Sequence, residues 1–274
     1  MIVATLGRSG ELERLLDSLL AQTFRDFELL VVDQNRDERL LEVLRPYAER
    51  LRLIHLRPGG LGASRARNAG LDRASGEVIA FPDDDCWYPP GLLARVDEVL
   101  HARPELDGLT GSSVDERGAA SNARFDGTPG ALGRISVWSR AIEYTMFLRA
   151  GSVAGLRFDE SLGVGSGTPW GAGEATDYLL RLLERGGNLY YDPELQVFHP
   201  SPVPPYDARV SVKAYSYGCG MGHVLTMHRM PRWFKAKWLV RPLGGTVLSA
   251  SSLKLGKAGY HWNIFRGRLR GLAS

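Results

Sequence analysis

The spacing of apolar positions changes period several times along the first part of the chain. Ile2 to Leu6 is a short apolar run and reads as a strand. Leu12, Leu15, Leu16, Leu19 and Leu20 then recur at i, i+3, i+4, i+7 and i+8, which lines one face of an amphipathic helix. Phe27 to Asp33 reads as a buried strand ending on a carboxylate. A second helix is expected from Asp37 to about Arg50, and a third strand from Leu51 to Leu56. Gly59-Gly60-Leu61-Gly62 is a loop feeding a helix through Ala74. Glu77 to Phe81 is the next strand; it runs into Asp83-Asp84-Asp85, and Pro89-Pro90 opens a helix just beyond. Such alternation predicts an α/β fold with a mostly parallel central sheet flanked by helices. Ligands in open sheets of this kind bind beyond the carboxyl ends of the strands, where Asp33 and Asp83 to Asp85 fall.

The pattern then loosens. Residues 113–140 are rich in Gly, Ser, Ala and Arg and are expected to form loop, Glu143 to Leu148 a strand, and Ser161 to Gly173 a Gly-rich loop. A helix carrying Leu179, Leu180, Leu182 and Leu183 follows. Asn188 to Val197 reads as two short strands broken at Asp192-Pro193. From Ala208 onward the chain is expected to be helical, with interruptions near Pro231 and at Pro242-Leu243-Gly244-Gly245. No internal repeat is apparent.

A chain of 274 residues can bury a substantial core as one large domain or two small ones. Its 44% hydrophobic and 24% charged residues are those of an ordinary soluble globular protein. The net charge of +3 does not mark the whole molecule as a polyanion binder, but the stretch from Lys213 to Arg270 is rich in Lys and Arg and nearly free of acids. Tyr215, Trp233, Trp238 and Trp262 lie among those basic residues, so residues 206–274 read as a helical, basic and aromatic extension. Two readings stay open for it: peripheral contact with anionic lipid or an anionic acceptor, or aromatic packing with solvated basic side chains. Nucleic acid is not expected as a partner, because no recognition module appears. Cys86 and Cys219 are far apart with no metal-ligand spacing and read as two reduced thiols. Met1 to Leu6 is too short for a signal peptide, and no run of about 18 apolar residues occurs. A cytoplasmic protein follows as the expectation, peripheral at most on the cytoplasmic membrane face.

Three adjacent carboxylates at a strand end repel one another unless a cation or solvent stabilises them. A hard divalent ion such as Mg²⁺ or Mn²⁺ takes oxygen ligands and bridges carboxylates to phosphate oxygens. The competing role for Asp83 to Asp85 is an acidic cap on the helix beyond.

The order of the motifs resembles the family 2 glycosyltransferases, which have the GT-A (nucleotide-diphospho-sugar transferase) fold. Leu30-Val31-Val32-Asp33 matches that family's strand ending in aspartate, and Ala66-Arg67-Asn68-Ala69-Gly70 matches its Ala-Arg-Asn-x-Gly signature. Phe81 to Pro89 carries the Asp-x-Asp element, and Gly173-Glu174-Ala175-Thr176-Asp177-Tyr178-Leu179 approximates Gly-Glu-Asp-x-Asp-Leu. Val197-Phe198-His199 supplies a late histidine. Together these cover about the first 200 residues. The resemblance implies a domain over residues 1–205, with a nucleotide-binding half (1–112) and an acceptor-side half (113–205). It implies metal-dependent, inverting transfer of a hexosyl or related sugar from a nucleotide-diphosphate donor to a glycan, lipid-linked or small-molecule hydroxyl, in cell-surface glycan or polysaccharide synthesis. Asp33 would then meet the base with Thr5 beside it, Arg65 and Arg67 would reach the diphosphate, and Asn68 would shape the loop. Asp83 and Asp84 would face the nucleotide sugar; Asp83, Asp85 and His199 would hold Mn²⁺ or Mg²⁺. Trp170, in the Gly-rich loop, would stack on sugar or acceptor.

Two departures from the family pattern matter. Gln34 stands where a second aspartate is common, and Ala175 stands where the catalytic aspartate belongs, leaving Glu174 first and Asp177 second as the general base. Three other classes compete. A dinucleotide-dependent oxidoreductase is disfavoured because Arg65 sits where the third glycine of its fingerprint belongs. A nucleotidyltransferase would need a different nucleophile arrangement. A non-catalytic sugar-nucleotide or glycan binder is kept open by Ala175.

Overall fold

In the computed structural model, which describes residues 1–121, 125–201 and 206–274, the apolar strands form where their period places them. The expected domain boundary at 205 falls within 202–205, outside the described residues, as do residues 122–124 of the expected 113–140 loop. Strand β2 (Glu28–Asp33) is buried at every position, as befits a strand covered on both faces. It pairs in parallel with β1 (Ile2–Thr5) and β3 (Arg52–Leu56), and the register sets Thr5 opposite Asp33 at the same strand end. Helix α1 (Gly10–Leu20) buries Leu12, Leu15, Leu16 and Leu19, the face its spacing predicted, and α2 (Arg39–Ala48) buries Leu40, Leu44 and Tyr47. Helix α3 (Ala63–Leu71) approaches β1 so closely that a Cβ on Gly70 would lie 2.3 Å from Ile2 Cγ2. The glycine of the Ala-Arg-Asn-x-Gly segment is therefore a packing requirement.

A second sheet has the order β4-β7-β5-β8-β6. Its strands are β4 (Val78–Ala80), β5 (Gly108–Val114), β6 (Gly130–Ala131), β7 (Met146–Arg149) and β8 (Leu189–Phe198). The β5–β8 pair is parallel and the other pairs are antiparallel, so the parallel character lies mainly in the first sheet. An isolated parallel bridge from Ala4 to Asp83 joins β1 to the segment just past β4. Helices α4 (Leu92–Ala102) and α5 (Val137–Arg140) complete this part.

Besides Glu143–Thr145, which form a 3-10 turn ahead of β7 where strand was expected, three local expectations come out differently. The Gly- and Ser-rich β5 is a fully buried strand that runs into the stretch expected to be loop. It carries no long apolar run because small residues are what fit: a Cβ on Gly111 would meet the Leu195 carbonyl at 1.9 Å. The break at Asp192-Pro193 is a bulge within β8, since Thr110 pairs with Tyr191 and Ser112 already with Gln196. The third concerns Pro242, described below.

By contact the chain divides into two compact units, residues 1–61, 65–157 and 178–201 forming one, and 62–64, 158–177 and 202–274 the other. In the second, α7 (Ala208–Met227) and α9 (Leu255–Leu272) meet through glycines. A Cβ on Gly218 would lie 2.5 Å from the Ile264 carbonyl oxygen, and one on Gly267 would lie 2.2 Å from that of Tyr215. Gly222 and Gly271 continue the contact one turn further on. Helix α8 (Arg232–Ser251) packs on α9 and runs through Pro242 without a break. Pro242 lacks the N–H that would bond the Trp238 carbonyl. Arg268 of α9 donates to that carbonyl instead, its guanidinium 4.5 Å from the Trp238 ring centroid.

Gly267→Val should force α7 and α9 apart, with a cost of about 1–3 kcal/mol or more for overpacking. Thermal unfolding followed by circular dichroism checks this, with the exposed Ala250→Gly, from α8, as a control for helix propensity.

Candidate active site

The turn that opens at Gly7 (φ 78°), whose N–H donates to Asn35 Oδ1 at 2.7 Å, carries Arg8 back over the end of β4. Arg8 Nη1 lies 2.5 Å from Asp84 Oδ1 and 2.6 Å from Asp85 Oδ2. From α3, the buried Arg67 donates to Asp83 Oδ1 at 3.1 Å and sits 3.6 Å from Glu143 Oε1. Trp87 and Phe198 exchange two backbone hydrogen bonds of 3.0 Å and stack at 5.4 Å, which pins the carboxylate run beside the end of β8. His199 follows immediately. Its backbone N–H donates to the Val114 carbonyl, and its ring lies on Tyr144 at 5.0 Å.

The electrostatics are graded across the three aspartates. Burial, then the Glu143 charge, pushes the Asp83 carboxyl up to about 8 against the pull of Arg67. Burial also raises Asp84, opposed by Arg8. Burial would raise Asp85 as well, but the His199 hydrogen bond and the Arg8 charge hold it below its ordinary value.

Asp83, Asp85 and His199 offer ligand atoms that all lie within 4.8 Å of one another. Two carboxylates and an imidazole suit a divalent ion such as Mn²⁺ or Mg²⁺. His199 Nδ1 is 2.6 Å from the Pro200 carbonyl oxygen, so Nδ1 carries the proton and Nε2 is turned to Asp85 Oδ1 at 3.1 Å. Two lone pairs at that distance require a proton or a metal cation between them, and an outer hydrogen bond of this kind is what orients a ligating imidazole. The residues fit a metal.

The other residues singled out from sequence divide into two groups. In the first unit, Thr5 is buried at the end of β1 next to Asp84, and Asn68 is buried in α3. Arg65 is exposed, with its guanidinium against Gly60. Asp33 is buried with its carboxylate nearly filled: Oδ1 accepts from Asn35 N and Nδ2, both at 2.8 Å, and Oδ2 lies 3.0 Å from His55 Nε2. Asp33, Asn35, Arg57 and Gly60 are among the residues lining a recess of about 390 Å³. A larger recess of about 500 Å³, around Arg95 and Tyr190, shares no residue with the carboxylate cluster and offers no catalytic grouping.

In the second unit, Glu174 opens α6 (Glu174–Glu184), and its carboxylate fills the space a side chain at Gly163 (φ 95°) would need. Asp177 is buried, with Oδ1 2.9 Å from the buried His228 Nε2. Trp170 stacks face to face on His223, centroids 4.4 Å apart.

The profile of Glycosyl transferase family 2 matches residues 1–144, more than half of the chain. This chain belongs to glycosyl transferase family 2. It is similar to the uncharacterized glycosyltransferase EpsJ of Bacillus subtilis, 38% identical over 90 residues. That match covers 32% of this chain and 26% of EpsJ, so only about a quarter of the relative's length is spanned. Among solved structures it resembles S. aureus TarS 1-349 in complex with UDP-GlcNAc, with a TM-score of 0.58 and 16% identity over 98% of this chain and 90% of that one. It also resembles the mannosyltransferase PcManGT of Pyrobaculum calidifontis in complex with GDP-Man and Mn²⁺, with a TM-score of 0.63 and 15% identity over 99% and 86%. At such identities the likeness shows the fold, which is GT-A.

Arg8, Glu143, His55 and His228 belong to these arrangements and were not singled out from the sequence of this family 2 member. None of them stands in a motif spacing; only the position of Arg8, just past a strand whose neighbours end in carboxylates, hinted at a role. Arg67→Met would leave Asp83 and Glu143 without their buried counter-charge. Because both acids keep some exposure, the loss should fall at the lower end of the range for breaking a buried pair, about 3 kcal/mol. Urea unfolding of Arg67→Met, Glu143→Gln and the double variant measures it, and the double variant should recover part of the loss.

Proposed function

We propose that this protein is a metal-dependent, inverting glycosyltransferase that moves a sugar from a nucleotide-diphosphate donor to an acceptor hydroxyl, as part of glycan or polysaccharide synthesis. The observation that carries the reading is the Asp83, Asp85 and His199 grouping, with Asp83 driven up to about 8 by burial and neighbouring acids. Such a carboxyl is poised to exchange its proton for a cation. Solved GT-A relatives with UDP-GlcNAc or with GDP-Man and Mn²⁺ support the donor class and the metal. Asp83, Asp85 and His199 would be the ligands. A bound Mn²⁺ or Mg²⁺ supplies positive charge against the charge developing on the departing diphosphate.

The rest of the chemistry falls to side chains. Asp33, Asn35 and Arg57 at the recess beyond β2 would receive the base, with Thr5 and Asn68 shaping the strand ends nearby. Arg65 would add charge at the diphosphate, and Asp84, tied to Arg8, would position the donor. Arg67 is already spent on Asp83 and Glu143, so its part is to hold that carboxylate in place. Trp170 would offer its ring to sugar or acceptor. Glu174 would take the acceptor proton as the hydroxyl oxygen bonds to the anomeric carbon and the diphosphate leaves with the electron pair. Asp177 is the poorer candidate, since His228 occupies one of its oxygens. The acceptor would be a glycan, lipid-linked or small-molecule hydroxyl. Surface contact with the cytoplasmic membrane face through residues 206–274 completes the reading; no described helix is long and apolar enough to cross a membrane.

UDP-, GDP- and dTDP-sugars tested with Mn²⁺ for hydrolysis or transfer check the proposal. Asp85→Asn and His199→Ala should abolish metal-dependent turnover. Glu174→Gln should lower kcat by about 100-fold or more, the scale of a lost general base, while donor affinity stays nearly constant. A product that retains the donor's anomeric configuration overturns inversion, and donor binding without any turnover identifies a binder instead.

A further inference from the structure

Helix α8 is apolar on two opposite sides. One side, with Phe234, Trp238 and Pro242, is turned into the helical unit. The other carries Trp233, Val240, Leu243 and Val247, which at spacings of seven, three and four residues form a single stripe. They are 60%, 65%, 39% and 62% exposed. A helix that merely covers a core shows water a polar face; this one shows it a second apolar face. The stripe continues into the α8–α9 turn, where Leu253 (85% exposed, φ 56°) and Leu255 (71%) stand outward.

Charge indicates what covers this face. Residues 206–274 hold twelve Lys and Arg against the single acid Asp207, and neither α8 nor α9 contains an acidic residue. Arg232, Lys237 and Arg241 flank the stripe and are exposed, while Lys254 and Lys257 flank the turn. The stripe is a convex ridge on one helix. A ridge of exposed aliphatic side chains with a tryptophan near one end and cations along its sides matches the chemistry of an anionic bilayer surface: acyl chains take the ridge, and phosphates and headgroup charges take the cations. We propose that the outward face of α8, together with the α8–α9 turn, is the face that docks the protein on an anionic membrane. The inference rests on the membrane contact in the proposed function and names the face that makes it; its test does not depend on turnover, so it can fail while the sugar-transfer reading stands.

Co-sedimentation of the whole chain with phosphatidylcholine vesicles, with and without roughly one third phosphatidylglycerol, measures the docking. Binding should be at least about tenfold tighter to the anionic vesicles and should weaken as NaCl rises from about 0.1 M to about 0.5 M. A Val240→Asp/Val247→Asp variant should lose about tenfold or more of that affinity with an unchanged circular dichroism spectrum and melting temperature, because both side chains are already in water. Brominated lipid should quench the wild type more than Trp233→Phe. Equal vesicle binding by wild type and the double-Asp variant overturns the proposal. So does a wild-type dimer that the double-Asp variant converts to monomer with no vesicle binding by either, since a second copy would then cover the face.

Discussion

Negative charge crowded at one strand end is the constraint around which the first unit is organised. Asp83, Asp84, Asp85 and Glu143 are brought together where water cannot fully solvate them, and like charges so crowded are costly unless cations face them. The counter-charges arrive from three separate places: Arg8 from the turn after β1, Arg67 from α3 and His199 from the end of β8. Their convergence needs the Ala4–Asp83 bridge, which sets the run beside β1, and the Trp87–Phe198 pair, which sets it beside β8. The cluster is thus a product of strand order. Its imbalance is graded, with Asp85 held in its charged form and Asp83 pushed toward its neutral one.

How much of this could be read in advance depended on whether the signal was periodic. The strands and helices up to α4 announce themselves because buried Leu and Val must repeat with the element's own period, and β2 and the segment past β4 run into carboxylates. Asp83, Asp85 and His199 were legible as a group only through the order of motifs; nothing in their spacing says that residue 199 returns to residue 85. Strand β5 left little trace, because a strand pressed against the Leu195 backbone is built of Gly, Thr and Ser. Glu143 left none, and Arg8 only its place just past β1, since a lone charged residue in a loop looks the same whether it faces water or a neighbour. Pro242 misled for the opposite reason. The rule that proline ends a helix assumes an unsatisfied carbonyl, and here Arg268, 30 residues beyond Trp238 in sequence, supplies the missing donor.

The helical unit solves a different problem. Helices α7, α8 and α9, with many basic side chains, cannot be held by ion pairs among themselves, since Asp207 is the single acid in residues 206–274. They are held by contact, with glycines on α7 and α9 letting the two backbones touch. Dispersion at such short range needs no charge. The consequence is that most of the cations, Arg268 apart, face outward and are not neutralised by acids within residues 206–274, while the acids of the chain lie before them in sequence.

The two arginines at the carboxylate cluster are not equivalent, and the difference bears on how a cation could enter. Arg67 is 4% exposed and anchored between Asp83 and Glu143; removing its charge would strand two acids in a poorly solvated site. Arg8 is 40% exposed, sits on a turn, and touches Asp84 and Asp85 from the solvent side. Its guanidinium can return to water without leaving a buried cation behind, so on the proposed function a divalent ion could take its place at Asp85. Having swung away, the guanidinium would still be tethered by the turn at Gly7, close enough to meet the phosphates that accompany the ion. One arginine is a permanent counter-charge and the other an exchangeable one, so the cluster is balanced as it stands and, on the proposed function, could still admit a metal and nucleotide.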